Sequence, residues 1–194
     1  MSSLPVLLST FLLLFISHEE VIARPYRNIP IRNVPHSQRL RWHRKDLTYF
    51  VAIYPSNYSR DTVDGMVFGA FDLWERRSPL TFQRVKSEDA DIILEFQNRR
   101  EHNQRCKHPV YRENVRSHAE FPPGGNIHFI MDSAYTSEEH LRRTIIHDIG
   151  HAIGLKHVDD PGSIMHSSDD DTYERHITAE NQKELQDIYE SVDS

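Results

Sequence analysis

The segment whose reading decides the fold is HDIGHAIGLKH, residues 147–157. His147 and His151 stand four apart, which on a helix puts both imidazoles on one face, one turn from each other. Gly154 can take the left-handed backbone that ends a helix and reverses the chain. His157 then returns to the same point in space. Three neutral imidazoles leave the fourth tetrahedral position to water, the open arrangement of a catalytic zinc. Zinc held in this way brings the water's pKa down towards ~7 and polarises a peptide carbonyl. An isolated HxxxH arises by chance in helices. The alternative here, helix-face and loop histidines without metal, needs the glycine and the third histidine to fall in place by coincidence.

Working outward, the helix carrying the first two histidines is expected to start at Thr136, with Glu139 three residues later completing a capping box. Leu141, Ile145, Ile149 and Ala152 give it one apolar side, and it ends near Gly154. A polar loop containing DDPG and SSDDD follows, then a last helix over about 179–191 that gathers Leu185, Ile188 and Tyr189. Upstream, LTYFVAIY (47–54), PLTFQRV (79–85), ADIILEF (90–96) and NIHFIM (126–131) read as strands. Val63, Met66, Val67, Ala70, Phe71 and Trp74 mark an amphipathic helix over about 60–77. Residues 97–125 read as polar, His-rich loop. Strand, helix, strand, strand implies an open mixed sheet with a crossover helix.

Composition bounds the rest. The chain has 194 residues, 38% apolar and 27% charged, the balance of one globular domain with a real core. A net charge of −6 leaves no basic stripe to neutralise phosphates, so nucleic acid is not an expected partner. Thirteen histidines hint at metal chemistry. Residues 1–23 read as a signal peptide, with an uncleaved anchor as the alternative: the apolar run from Val6 to Ile16 is too short to span a bilayer comfortably. Val21 and Ala23 fit a cut before Arg24. Residues 24–41, rich in proline and arginine, read as an extended arm, and the domain occupies 42–194. A secreted, extracellular monomer with no membrane span after cleavage is expected. Cys106 is the only cysteine, so no intramolecular disulfide can form.

The pattern HxxxHxxGxxH followed by Ser163-Ile164-Met165 resembles the metzincin clan of metalloproteases, whose signature is HExxHxxGxxH with a later methionine turn. RWHRKDLTYFV (41–51), TVDGMVFGAFDLWERRSPLTFQRV (62–85) and SEDADIILEF (87–96) narrow the resemblance to the matrixins, the matrix metalloproteinases. It runs from Trp42 to Tyr189. It implies the metzincin zincin-like α+β fold: a twisted, mixed, mainly parallel five-stranded sheet with about three helices. It also implies zinc endopeptidase action on extracellular proteins or peptides, with substrate lying along a sheet edge near Ser117–Phe121. Met165 would be the turn methionine, and Arg143, four residues before the first histidine, would line the specificity pocket.

The sequence departs from the family in three places. Asp148 stands where the family has Glu as general base and proton donor. One methylene shorter, it falls about 1 Å short, and misplacement on that scale can cost ~100-fold in rate. The outcomes left open are a slow protease, a zinc-binding pseudoprotease acting as a secreted peptide- or inhibitor-binding protein, or an altered substrate class or unrelated zinc role. Secondly, matrixins hold a structural zinc with three His and one Asp. His102, His118 and His128 match the histidines, but Gln104 stands where the Asp would be. Cys106 or His108 could be the fourth ligand, or the segment could be a solvated loop. The family's glycine-rich calcium loop is absent, so calcium is not expected. Thirdly, residues 24–41 contain no cysteine, so no cysteine-switch latch is expected.

Overall fold

The computed structural model describes residues 40–112, 115–132, 135, 137–168 and 174–190. The expected signal peptide and nearly all of the arm lie outside these residues. Nine elements follow one another: β1 (Asp46–Ile53), α1 (Arg60–Glu75), β2 (Thr81–Arg84), β3 (Ile92–Gln97), α2 (Arg99–Arg105), β4 (Ser117–Ala119), β5 (Asn126–Ile130), α3 (Glu138–Ala152) and α4 (Ala179–Tyr189). The strands form one sheet in the order β2-β1-β3-β5-β4. Only β4 runs antiparallel, against β5; the other pairings are parallel. This is an α+β fold with a mixed, mainly parallel five-stranded sheet.

Local chemistry explains the elements. β1 alternates, with Leu47, Tyr49 and Val51 turned into the core, the period of a strand covered on one face. α1 buries Val63, Met66, Val67, Ala70, Phe71 and Trp74, the stripe its spacing implies. Its start is fixed by Ser59, whose side chain accepts from the Thr62 amide. Tyr49 stacks on Phe71 with ring centroids 3.9 Å apart, locking α1 to the sheet. Trp74 then reaches across to α3, where its Nε1 donates to the Ile146 carbonyl at 2.9 Å. Each apolar side chain buried to this degree contributes about 1.5–3 kcal/mol.

Four sequence expectations change. Residues 97–125 are not all loop, since they hold α2 and β4, and the described residues contain four helices rather than three. α2 reads RREHNQR and has no apolar period, because its one buried side chain is a histidine. The α3 cap is Ser137, one residue after Thr136, with its side chain accepting from the His140 amide at 3.1 Å. α1 stops at Glu75, two residues early. At α4 the capping box is formed by Thr178 and Asn181.

Candidate metal centre and active-site cleft

α3 delivers His147 and His151 from successive turns, and the chain then leaves the helix through Gly154, whose φ is +112°. An added Cβ at Gly154 would lie 2.1 Å from the Leu40 carbonyl oxygen, so glycine is required for space as well as for backbone conformation. The turn brings His157 round to the helical pair. The three Nε2 atoms form a triangle with sides of 3.0, 3.1 and 3.2 Å. Tetrahedral zinc with bonds of ~2.0–2.1 Å separates its nitrogen ligands by roughly 3.3–3.4 Å, close to this triangle.

The far sides of the rings settle the protons. His147 Nδ1 donates to the Ile164 carbonyl at 2.7 Å, and His151 Nδ1 donates to the Leu155 carbonyl at 2.8 Å. A carbonyl can only accept, so both protons sit on Nδ1 and both Nε2 lone pairs are bare. Burial pushes both imidazoles down to about 4, so neither charges at neutral pH. Bare lone pairs crowded this closely repel unless a cation lies among them. The donor set fits a zinc ion.

The histidines rest on the turn that follows. Met165 is fully buried, and its sulfur packs where a Cβ at Gly150 would stand, 2.4 Å away. The Val158 amide donates to the Met165 carbonyl at 3.1 Å, tying the third histidine's strand to the methionine turn.

A cleft of about 540 Å³ opens over this centre. Ser117, His118 and Ala119 of β4 line one wall; Arg143, Thr144 and Asp148 of α3 line the other, with His166 and Arg175 near its end. Phe121 sets its ring edge-on to His151 at 5.3 Å. Asp148 is buried, and burial pushes its carboxyl up to about 6 against the Ser117 hydroxyl and His151, which favour the charged form. Among the described residues its Oδ2 has no hydrogen-bond partner. Arg143 lies on the cleft wall. The sequence marks Ser117 only as the start of a substrate edge; its contact with Asp148 depends on packing β4 against α3.

A second cluster lies behind β4. Sheet register sets Glu95, His128 and His118 side by side across three strands, and α2 brings His102 over that row. His102 Nε2 lies 2.8 Å from His118 Nε2 and 3.1 Å from His128 Nδ1. Burial pushes His118 down to about 4 and His128 to about 3. Cys106 Sγ lies 3.7 Å from His118 Nε2, and burial pushes its thiol up. One ligand atom from each of these four residues falls within 4.8 Å of all the others. Gln104, the position where the resemblance expects Asp, is exposed and outside the group.

The sequence has clear relatives. The chain is 36% identical over 133 residues to interstitial collagenase of Sus scrofa, covering 65% of this chain and 28% of that protein. It is 34% identical over 134 residues to neutrophil collagenase of Homo sapiens, covering 65% and 28%. Against matrilysin of Mus musculus it is 32% identical over 168 residues, covering 80% and 60%. The chain spans less than two thirds of the length of each of these relatives. The matrixin family model runs across residues 41–190, from the residue before Trp42 past the end of α4, and the chain belongs to the matrixin family.

Proposed function

We propose that this protein is a secreted zinc metalloendopeptidase acting on extracellular proteins or peptides, with turnover reduced by Asp148. The observation that carries the reading is the triangle of Nε2 atoms of His147, His151 and His157, with a buried carboxyl beside it in an open cleft. The names of the relatives, collagenases and matrilysin, support proteolysis as the chemistry. Secretion rests on the signal-like residues 1–23. Among the described residues no helix is long and apolar enough to cross a membrane.

His147, His151 and His157 would hold the zinc, which when bound supplies a Lewis acid and acidifies water at its open position. The chain's own residues do the rest. β4 is the last strand of the sheet, so its outer edge can pair with an extended peptide, as sheet edges do. That lays the peptide between β4 and α3. Arg143 limits the depth of the pocket beside the scissile bond. Asp148 takes a proton from the attacking water and returns it to the leaving amide nitrogen. The Ser117 hydroxyl holds the carboxylate, and Oδ2 is left to carry the proton.

The shortened side chain favours a second reading, a peptide- or inhibitor-binding pseudoprotease. Hydrolysis of a generic matrixin peptide by wild type, Asp148→Glu and Asp148→Ala, each with zinc content measured, separates the two. The protease reading expects zinc in all three, a faster Asp148→Glu by about 10–100-fold, and an inert Asp148→Ala. Wild type as inert as the Ala variant, with full zinc, would leave only binding.

A further inference from the structure

The second cluster differs from the set that the family resemblance implies. Its chemistry can be read from tautomers, as in the cleft. Asn103 is clamped by one backbone: its Nδ2 donates to the Val110 carbonyl at 3.0 Å and its Oδ1 accepts from the Val110 amide at 2.7 Å. That fixes the side-chain amide and makes Oδ1 the atom facing His102 Nδ1, at 3.0 Å. His102 must therefore carry its proton on Nδ1 and turn a bare Nε2 inward. His128 is turned the other way round. Its Nε2 points outward to Glu95 Oε2, 3.6 Å away, and its Nδ1 points inward to His102 Nε2, 3.1 Å away. Two buried rings, 0% and 6% exposed, thus aim a nitrogen each at one point, where a third ring nitrogen and a sulfur also lie.

The sulfur arrives by helix geometry. His102 and Cys106 are four apart, and the Cys106 amide still bonds to the His102 carbonyl at 2.8 Å, so both side chains leave the same side of α2. The His108 amide donates to Sγ at 3.4 Å, which works against the burial that raises the thiol. His108 itself is exposed, and its ring is outside the four-residue group. A zinc bonded to sulfur at ~2.3 Å and to nitrogen at ~2.0–2.1 Å holds the two about 3.5–3.6 Å apart. The observed 3.7 Å from Sγ to His118 Nε2 is near that value.

We propose that Cys106 is the fourth ligand of a closed His3Cys zinc centre with His102, His118 and His128, a thiolate taking the place of the carboxylate expected at position 104. Four protein ligands leave no open position, so the centre is structural. It joins α2 to β4 and β5, where polar side chains give little core. Thiolate with imidazole selects zinc or cobalt over calcium or magnesium. The proposal is independent of whether the cleft hydrolyses peptides.

The chain has one cysteine, which makes the test clean. The purified protein is stripped with chelator and reloaded with cobalt(II), and the near-ultraviolet sulfur-to-cobalt charge-transfer band is read. Wild type and His147→Ala, which lacks the cleft ligand, are expected to show the band; Cys106→Ser is expected to lose it. In unmutated protein, a disulfide reagent should label Cys106 at least about tenfold more slowly with zinc bound than after stripping, since a metal-held thiolate is a masked nucleophile. A cobalt-loaded wild type without the band, a band surviving in Cys106→Ser, or equal labelling in both states would overturn the assignment. The wild-type measurements stand even if the serine variant fails to fold.

Discussion

At residue scale, the chemistry of the cleft turns on how a short carboxylate is held. Asp148 sits in a site that burial makes unfavourable for charge, and the Ser117 hydroxyl acts against that burial by donating to the ionised form. Removing the hydroxyl should push the carboxyl above its present value of about 6. Ser117→Ala is therefore expected to move the acid limb of the pH–rate profile to higher pH, with a greater loss of activity at pH 6 than at pH 8. Bound zinc lowers both values without changing their order. An unmoved limb would mean that Ser117 does not position the base. The three cleft histidines were legible in sequence, because helix spacing and a glycine stop are local properties. The contacts made by Ser117, Asn103 and Glu95 were not. Each residue finds its partner through strand register or a loop clamp, and neither is written in nearby sequence. Cys106 was legible only as one of two alternatives, since its position four after His102 matters once residues 99–105 are known to be a helix.

At the scale of elements, α3 is the piece on which the fold and the site both depend, and its tightest contact is at Gly150. A Cβ there would meet Met165 Sδ at 2.4 Å, with Met165 Cε and Trp74 Cζ2 at 3.0 Å. Trp74 is fully buried and held by its bond to Ile146, so it cannot give way. Gly150→Ala should cost about 1–3 kcal/mol by overpacking and weaken zinc binding, because the displaced turn carries the Ile164 carbonyl that orients His147. Gly65, exposed on α1 with nothing within 4 Å of the same position, is the control. Gly65→Ala should instead stabilise by about 0.5–1 kcal/mol through the unfolded chain. Thermal unfolding of the two variants checks the pair; equal effects would deny the tight contact. The long apolar elements were readable because period survives in sequence wherever a face is buried in hydrophobic core. α2 was not, since its inward face is a metal-ligand type and its caps are polar, leaving nothing for periodicity to detect.

At the scale of the whole molecule, polar ties bind the start of the domain to elements distant in sequence. Trp42 Nε1 donates to the Ala152 carbonyl at 2.9 Å, and Tyr189 OH donates to the Ile153 carbonyl at 2.9 Å while accepting from the Trp42 amide at 3.3 Å. The end of the helix that carries His147 and His151 is thus held by both ends of the described chain. The other tie is Asp91, just ahead of β3. Arg44 Nη2 reaches both its oxygens, at 2.5 and 2.6 Å, and the Thr48 amide and hydroxyl donate to Oδ2 at 2.8 and 2.9 Å. Burial alone would push this carboxyl up, but Arg44 and Thr48 outweigh it and hold Asp91 below the usual carboxylate range. A depressed folded-state value means that the unfolded chain binds the proton more readily. The stabilisation is therefore complete above the unfolded value of about 3.9 and is lost as pH falls through the lower folded value. Asp91→Asn keeps an acceptor for Thr48 but removes the charge. It should unfold at a lower temperature than wild type at pH 7, and the gap should narrow as pH drops below about 4. Arg44 is largely exposed, so added salt should narrow it too. A gap that stayed constant from pH 7 to pH 3 would show that Asp91 acts through shape and not through charge.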